Sequence, residues 1–286
     1  MRYTRAHIFL FLSPLLLIVL FMYGMIAWTG YASMTNWVGM APSWHFNGVD
    51  NYIKLLGMGR FWDALKNNVL WLVVFIPPTA ILGLVLAYIL DVAGWAERIF
   101  RPVLLYPMAL SFVVTGNLWA WMYDAKGVFN MSLTGLGLKP QLWIASPDQV
   151  LYCIIAAAIW QYTGFAMILY VAAIREIPVE IFEAAKVDGA NLTQLFYNIV
   201  VPNVGQATMI VIAMLTLFSL KIFDLVWVMT FGGPGTSSEV LPFFMYVASY
   251  RQGFVGLGSA ISMVILLLAI LVVIPYSLWF MKRAAE

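Results

Sequence analysis

The stretch that decides the fold is Val150–Ile174, VLYCIIAAAIWQYTGFAMILYVAAI, which contains no Asp, Glu, Lys or Arg. A helix needs about 20 predominantly apolar residues to cross a hydrocarbon core of about 30 Å. This run is long enough, and it is continuous rather than alternating. An outer-membrane barrel would instead show strands of about ten residues with apolar and polar positions alternating. In lipid every backbone N–H and C=O must be paired internally, and a helix does this within one segment. Val150–Ile174 therefore reads as a membrane-spanning helix.

Working outward, Ile8–Trp28, Val69–Leu90, Pro102–Tyr123 and Leu257–Phe280 are also free of charge. A further window, Asn203–Phe231, is charge-free to Leu220 and then meets Lys221 and Asp224. The expectation is a single all-α membrane domain over 1–286. Its six spans lie near 8–28, 69–90, 102–123, 150–174, 203–231 and 257–280. Arg2 and Arg5 precede the first run, so a cleaved signal peptide is the competing reading there. A signal peptide's apolar region runs only about 7–15 residues, and no clear A-x-A site follows. The run reads as a retained span.

Composition agrees. Of 286 residues, 63% are hydrophobic and 10% charged, and the mean hydropathy is +0.91. Soluble domains hold roughly 45–50% apolar and about 25% charged residues. Disordered, collagen-like and disulfide-stapled classes are excluded. Cys153 is the sole cysteine, and His7 and His45 are the only histidines, so no zinc-type cluster is available. A net charge of +2 gives nucleic-acid binding no electrostatic support.

Orientation follows from Lys and Arg in short loops. With the N-terminus inside, the cytoplasmic segments carry Arg2, Arg5, Arg98, Arg101, Arg175, Lys186, Lys282 and Arg283. The longer outer segments carry Lys54, Arg60, Lys66, Lys126, Lys139 and Arg251. The density favours N-in and C-in and places 175–202 in the cytoplasm. Trp28, Trp37, Trp44, Trp143 and Tyr246 then fall near outer boundaries, where interfacial aromatics belong.

Segment 175–202 is the least membrane-like part of the chain. Pro178 suits a helix's first turn, and that helix is expected to run to about Val187. Glu176, Glu180 and Glu183 fall on one side of it by helical spacing. Ala184 and Ala185 are small enough for a partner to approach the backbone closely. Asp188-Gly189 reads as a turn, with glycine supplying positive φ. Asn191 starts a second helix, and Gln194 completes an Asn-x-x-Gln variant of the capping box. Phe196, Ile199 and Val200 line its apolar face, and Pro202 precedes the fifth span. On these grounds alone two readings stand: a solvated connector, or a docking surface with an acidic edge.

The stretch Ile177–Ala190, with its Glu183-Ala184-Ala185 and Asp188-Gly189-Ala190, continues through Phe196 and Ile199 to Pro202. It resembles the EAA loop of permease subunits of binding-protein-dependent ABC importers. Val201 stands where that pattern has Leu, and Gln206 where it usually has a final Pro. Other stretches are similar to the same family. They are Asn51-Tyr52 with Phe61–Asn68, Arg101–Pro107, and Thr230-Phe231-Gly232-Gly233-Pro234-Gly235. Together they resemble the maltose/glycerol-phosphate branch, whose members import sugars and polyols.

The resemblance implies a six-helix type I importer bundle in a bacterial cytoplasmic (inner) membrane. It implies partners as well: a second permease subunit, expected to be a paralogue, two ABC ATPase subunits and an extracytoplasmic sugar-binding protein. By resemblance, Glu180, Glu183, Ala184, Ala185, Asp188, Gly189 and Ala190 couple the chain to the ATPase, with Glu183 meeting a basic residue of its cleft. ATP and magnesium are expected in those partners and no cofactor in this chain. The residues agree with that division. A P-loop needs Gly-Lys followed by Ser or Thr, and no Lys in this sequence is followed by either. The expectation is a transport subunit and not an enzyme.

Polar residues within spans are candidates for the substrate pathway. Gln161 is flanked by Trp160 and Tyr162 near mid-span, where two interface-loving aromatics want an explanation. A sugar supplies one, and interhelical packing supplies another. Asn117 carries the same two readings, and Trp160 equally reads as packing. Lys221 and Asp224, three apart, are expected to share a helix face, as a neutral pair or as a polar wall of the pathway. A stand-alone secondary transporter using Lys221 and Asp224 is the alternative, but no inverted repeat is visible. An intramembrane enzyme has neither a G-x-S-x-G nor an H-E-x-x-H motif to stand on.

Overall fold

The computed structural model describes residues 5–43 and 45–284, with side chains at 12–43, 45–95 and 97–274. Arg2 and Trp44 lie outside the described residues. So do the side chains of Arg5, His7, Lys282 and Arg283.

Among the described residues the regular structure is all helical, apart from an isolated Thr35–Phe46 bridge. In chain order the helices are α1 Arg5–Ser33, α2 Asp50–Leu56, α3 Gly59–Ala93, α4 Glu97–Ala109 and α5 Phe112–Met122. Then follow α6 Val128–Gly135, α7 Val150–Arg175, α8 Val179–Val187, α9 Leu192–Leu195 and α10 Val201–Asn203. The last are α11 Gly205–Leu220, α12 Asp224–Met229, α13 Leu241–Tyr246 and α14 Val255–Ala284. A π-helical turn, Phe196–Val200, joins α9 to α10. Among the described residues, four helices are long and apolar enough to cross a membrane, and up to six if each of two bent pairs counts as one span.

By its contacts the chain divides into two compact units, residues 1–62 with 244–268 and residues 63–243 with 269–286. In the first, Asn51 pins the chain that leaves α1. Its Nδ2 donates to the carbonyls of Ser33 at 2.9 Å and Thr35 at 2.8 Å. Leu12, Leu15–Tyr23 and Met25 of α1 are exposed. Such a surface is stable only against lipid or another membrane chain.

The second unit is built around α7, which buries Val150, Ile154, Ala158, Ala166, Tyr170 and Ile174 along its length. Small residues allow its neighbours to come close, the packing mode of membrane helices. A Cβ on Gly164 would collide with the Leu104 carbonyl of α4, and one on Gly83 of α3 with Ala166. The long α3 starts well before the expected span. There Asn67 and Asn68 hold the loop that follows α12. Asn67 Nδ2 donates to the carbonyls of Ser237 at 3.1 Å and Glu239 at 2.8 Å. Asn68 Oδ1 accepts the Leu241 N–H at 2.7 Å.

Two expected spans are not continuous. In the window 102–123, α4 and α5 meet at 98°. Ser111 caps α5, its hydroxyl accepting the Val114 N–H at 3.3 Å. A capping hydroxyl of this kind competes with helix continuation. The window 203–231 breaks twice. Residues 192–203 and α11 are bent by 70°, and the helix stops again between Leu220 and Asp224. Hydropathy is high on both sides of the break between α4 and α5 and gives no sign of it, whereas Pro202 and the charges Lys221 and Asp224 stand at the other two.

Candidate functional site

Segment 175–202 folds as two short helices, α8 and α9, joined by a turn whose helix ends are satisfied locally. Gly189 has φ of 82°. Its N–H donates to Lys186, and the Ala190 N–H to Ala185, at 3.1 and 2.9 Å. This is a Schellman cap with glycine in the left-handed position, and it satisfies carbonyls that the end of α8 would leave orphaned. Asn191 and Gln194 form the reciprocal capping box, with hydrogen bonds of 2.9 and 2.8 Å. The angle between α8 and α9 is therefore set by six consecutive residues and needs no outside contact.

None of the residues of α8 is buried. Glu180, Glu183, Ala184, Asp188 and Gly189 are exposed, and Ala185 and Ala190 half-buried. α8 follows Pro178, its N-cap, so the helix starts one residue later than expected. The far side of the segment is anchored: Leu195, Ile199 and Val200 are buried. A pocket of about 420 Å³ opens at its base, lined in part by Glu176, Pro178, Asn203 and Gln206. Gln206, at the place of the expected proline, thus borders the junction between segment and span.

An ionic cluster that the sequence reading missed ties this segment to the bundle. Arg175, the last residue of α7, pairs with Glu97 of α4 and lies 3.8 Å from Asp91 of α3. Glu97 also holds Arg101 at 3.2 Å. Arg101 and Arg175 entered the orientation argument as single positive charges, and both are paired. Arg175 is far in sequence from Asp91 and Glu97, and no local pattern marks that meeting, whereas Glu97 and Arg101 are one helical turn apart.

The pathway candidates fall into different environments. Gln161 is 3% exposed, and its Nε2 donates to the Leu110 carbonyl at 3.0 Å. That carbonyl lies in the break between α4 and α5. This contact favours the interhelical-packing reading of Gln161, because the amide re-satisfies backbone freed by the break; its buried Oε1 has no hydrogen-bond partner among the described residues. Trp160 packs edge-on against Trp119 at 5.9 Å and borders an apolar groove of about 570 Å³, as packing requires. Asn117 is exposed, and its Nδ2 donates to the Val113 carbonyl one turn back at 2.9 Å.

Lys221 and Asp224 do not share a helix face. Lys221 caps α11 and Asp224 begins α12. Both are exposed, and no ion pair joins them among the described residues. The three-residue spacing misled because it presumes an unbroken helix. Asp224 instead lies within electrostatic reach of Tyr162. Tyr162 stacks on Phe218 at 4.7 Å and meets Phe75 edge-on at 5.6 Å. Tyr162 and Phe218 are half-buried and Asp224 is exposed. Among the described residues no group of three or more His, Cys, Asp or Glu is placed to hold a metal.

Residues 79–282 match the family described as "Binding-protein-dependent transport system inner membrane component". The chain is 45% identical to a probable ABC transporter permease protein of Pyrococcus horikoshii, over 96% of each chain. It is 33% identical to the xylose/arabinose import permease XacH of Haloferax volcanii, covering 94% of this chain and 86% of that one. In structure it is similar to a chain of a bacterial ABC transporter that imports the acidic polysaccharide alginate. That likeness has a TM-score of 0.84 at 20% identity, over 96% of this chain and 95% of the other.

Proposed function

Because the chain belongs to the inner-membrane components of binding-protein-dependent transport systems, we propose that it is the membrane half of an ATP-driven sugar importer. It stands N-in and C-in, with segment 175–202 on the cytoplasmic side. An extracytoplasmic binding protein delivers a sugar or related polyol. Two ABC ATPases supply the energy, and a paralogous permease completes the pathway. ATP and magnesium reside in the ATPases.

The observation that carries this reading is α8, a helix with no buried residue, held at a fixed angle by its own caps. A short helix gains little from exposure, since most helical stability comes from packing an apolar face. α8 is shaped to be covered by something else. Its carboxylates Glu180 and Glu183 suit a basic cleft, and a charged hydrogen bond there contributes about 1.5–3 kcal/mol. Docking at α8, Asp188 and Gly189 converts ATPase closure into movement of the bundle. The stacked rings of Tyr162 and Phe218, with the carboxylate of Asp224 in electrostatic reach, support a sugar pathway. An aromatic face suits the apolar side of a pyranose, and a carboxylate suits its hydroxyls. The sugar class draws support from the xylose/arabinose relative.

The test is to purify the chain in mild detergent and identify what accompanies it. Two ATPase subunits and a second, different permease are expected. A chain that transports alone, with uptake unchanged by Glu183→Lys, would establish the secondary-transporter alternative.

A further inference from the structure

No residue of α8 is fully buried, so a force on it reaches the membrane bundle chiefly through its two flanks. The N-terminal flank is Arg175, which faces Asp91 at 3.8 Å and pairs with Glu97. The C-terminal flank is held by Tyr88. Its hydroxyl donates to the Leu192 carbonyl at 2.7 Å, and its ring lies 5.2 Å from that of Phe196. Tyr88 and Asp91 are three apart on α3, within one continuous helix, and so share a face. Both flanks of the segment therefore end on the same turn of α3.

We propose that this turn of α3 is the receiver of the ATPase stroke, with Tyr88 and Asp91 as positioning residues for transport. Two attachments on one turn make segment and helix move as a unit. A single attachment would let the segment pivot. The pair of Arg175 with Glu97 extends the clasp to α4, and Arg101 one turn on holds the same carboxylate at 3.2 Å. From α3 the motion passes inward at Gly83, which has no room for a Cβ against Ala166 of α7. Close packing of this kind transmits displacement rather than absorbing it. The inference rests on the proposed ATPase partner.

The test uses the assembled importer in proteoliposomes, with Tyr88→Phe, Asp91→Asn and the double variant. Each removes a polar contact with little change in volume, and α8 is untouched. The ATPases are expected to co-purify at wild-type yield and to retain basal hydrolysis. Uptake in the double variant is expected to fall about tenfold or more, the scale of one or two hydrogen bonds lost. The ATP consumed per sugar rises accordingly. Arg175→Lys, which keeps the charge, is expected to retain more uptake than Arg175→Gln. Wild-type uptake and coupling ratio in the double variant would overturn the inference. So would loss of the assembled complex in all variants, which would mark the clasp as purely structural. Failure of the wild-type chain to bind any ATPase would instead overturn the function on which the inference rests.

Discussion

α7 and α8 are separated by only a few residues and meet opposite fates. α7 buries Val150, Ile154, Gln161, Gly164 and Tyr170 along its length, and α8 buries no residue at all. α7 is finished within this chain. Its glycine admits a neighbouring backbone, and its amide satisfies a carbonyl of the broken span. α8 is finished only in its caps. Its stability comes from the Schellman turn and capping box, and its surface remains to be covered. The difference teaches that the two helices respond to substitution at different levels, α7 in folding and α8 in coupling.

The largest expected effect is that of Gly164→Leu. The new side chain would drive into the Leu104 backbone, and overpacking of this kind costs about 1–3 kcal/mol or more. Melting in detergent should show a loss of stability, with uptake and ATPase recovery falling together. Gly189→Val is expected to remove most ATP-coupled uptake while insertion and melting stay normal. A β-branched residue resists the positive φ that the turn requires. If Gly189→Val transported normally, the comparison would break on the side of α8. Gln161→Leu removes the donor to Leu110. A cost of about 0.6–1.7 kcal/mol is expected, read as a lower melting temperature with unchanged sugar preference. Altered sugar preference would return Gln161 to the pathway. Lys221→Gln is expected to leave melting within about 0.5 kcal/mol of wild type, since the exposed amine makes no ion pair with Asp224.

What was legible in the sequence was what local chemistry sets. Asn191, Gln194 and Gly189 act on backbone groups within a few residues, and their caps form as their types and spacing dictate. The helical membrane class was equally plain, because lipid imposes a length and an apolarity that composition reports directly. The bend at Leu110–Ser111 was hidden, since apolar residues flank it on both sides, whereas Lys221 and Asp224 stand at the break between α11 and α12. Ser111 was the available signal, a capping residue inside an apolar run. Interhelical packing was one of the two readings of Gln161, but its acceptor, the Leu110 carbonyl, was out of reach without that bend. Asp91, Glu97 and Arg175 meet only in three dimensions, as does the contact of Tyr88 with Leu192. Long-range pairing leaves no periodic trace.

The account's central claim is that α8 is a docking surface for an ATPase and not a solvated connector. The most direct measurement is recovery of ATPase subunits with Glu183→Lys, alongside uptake by the same preparation. The claim predicts normal melting, a loss of ATPase binding of roughly 10- to 150-fold, and loss of uptake with it. Wild-type ATPase recovery and wild-type uptake in Glu183→Lys would contradict it.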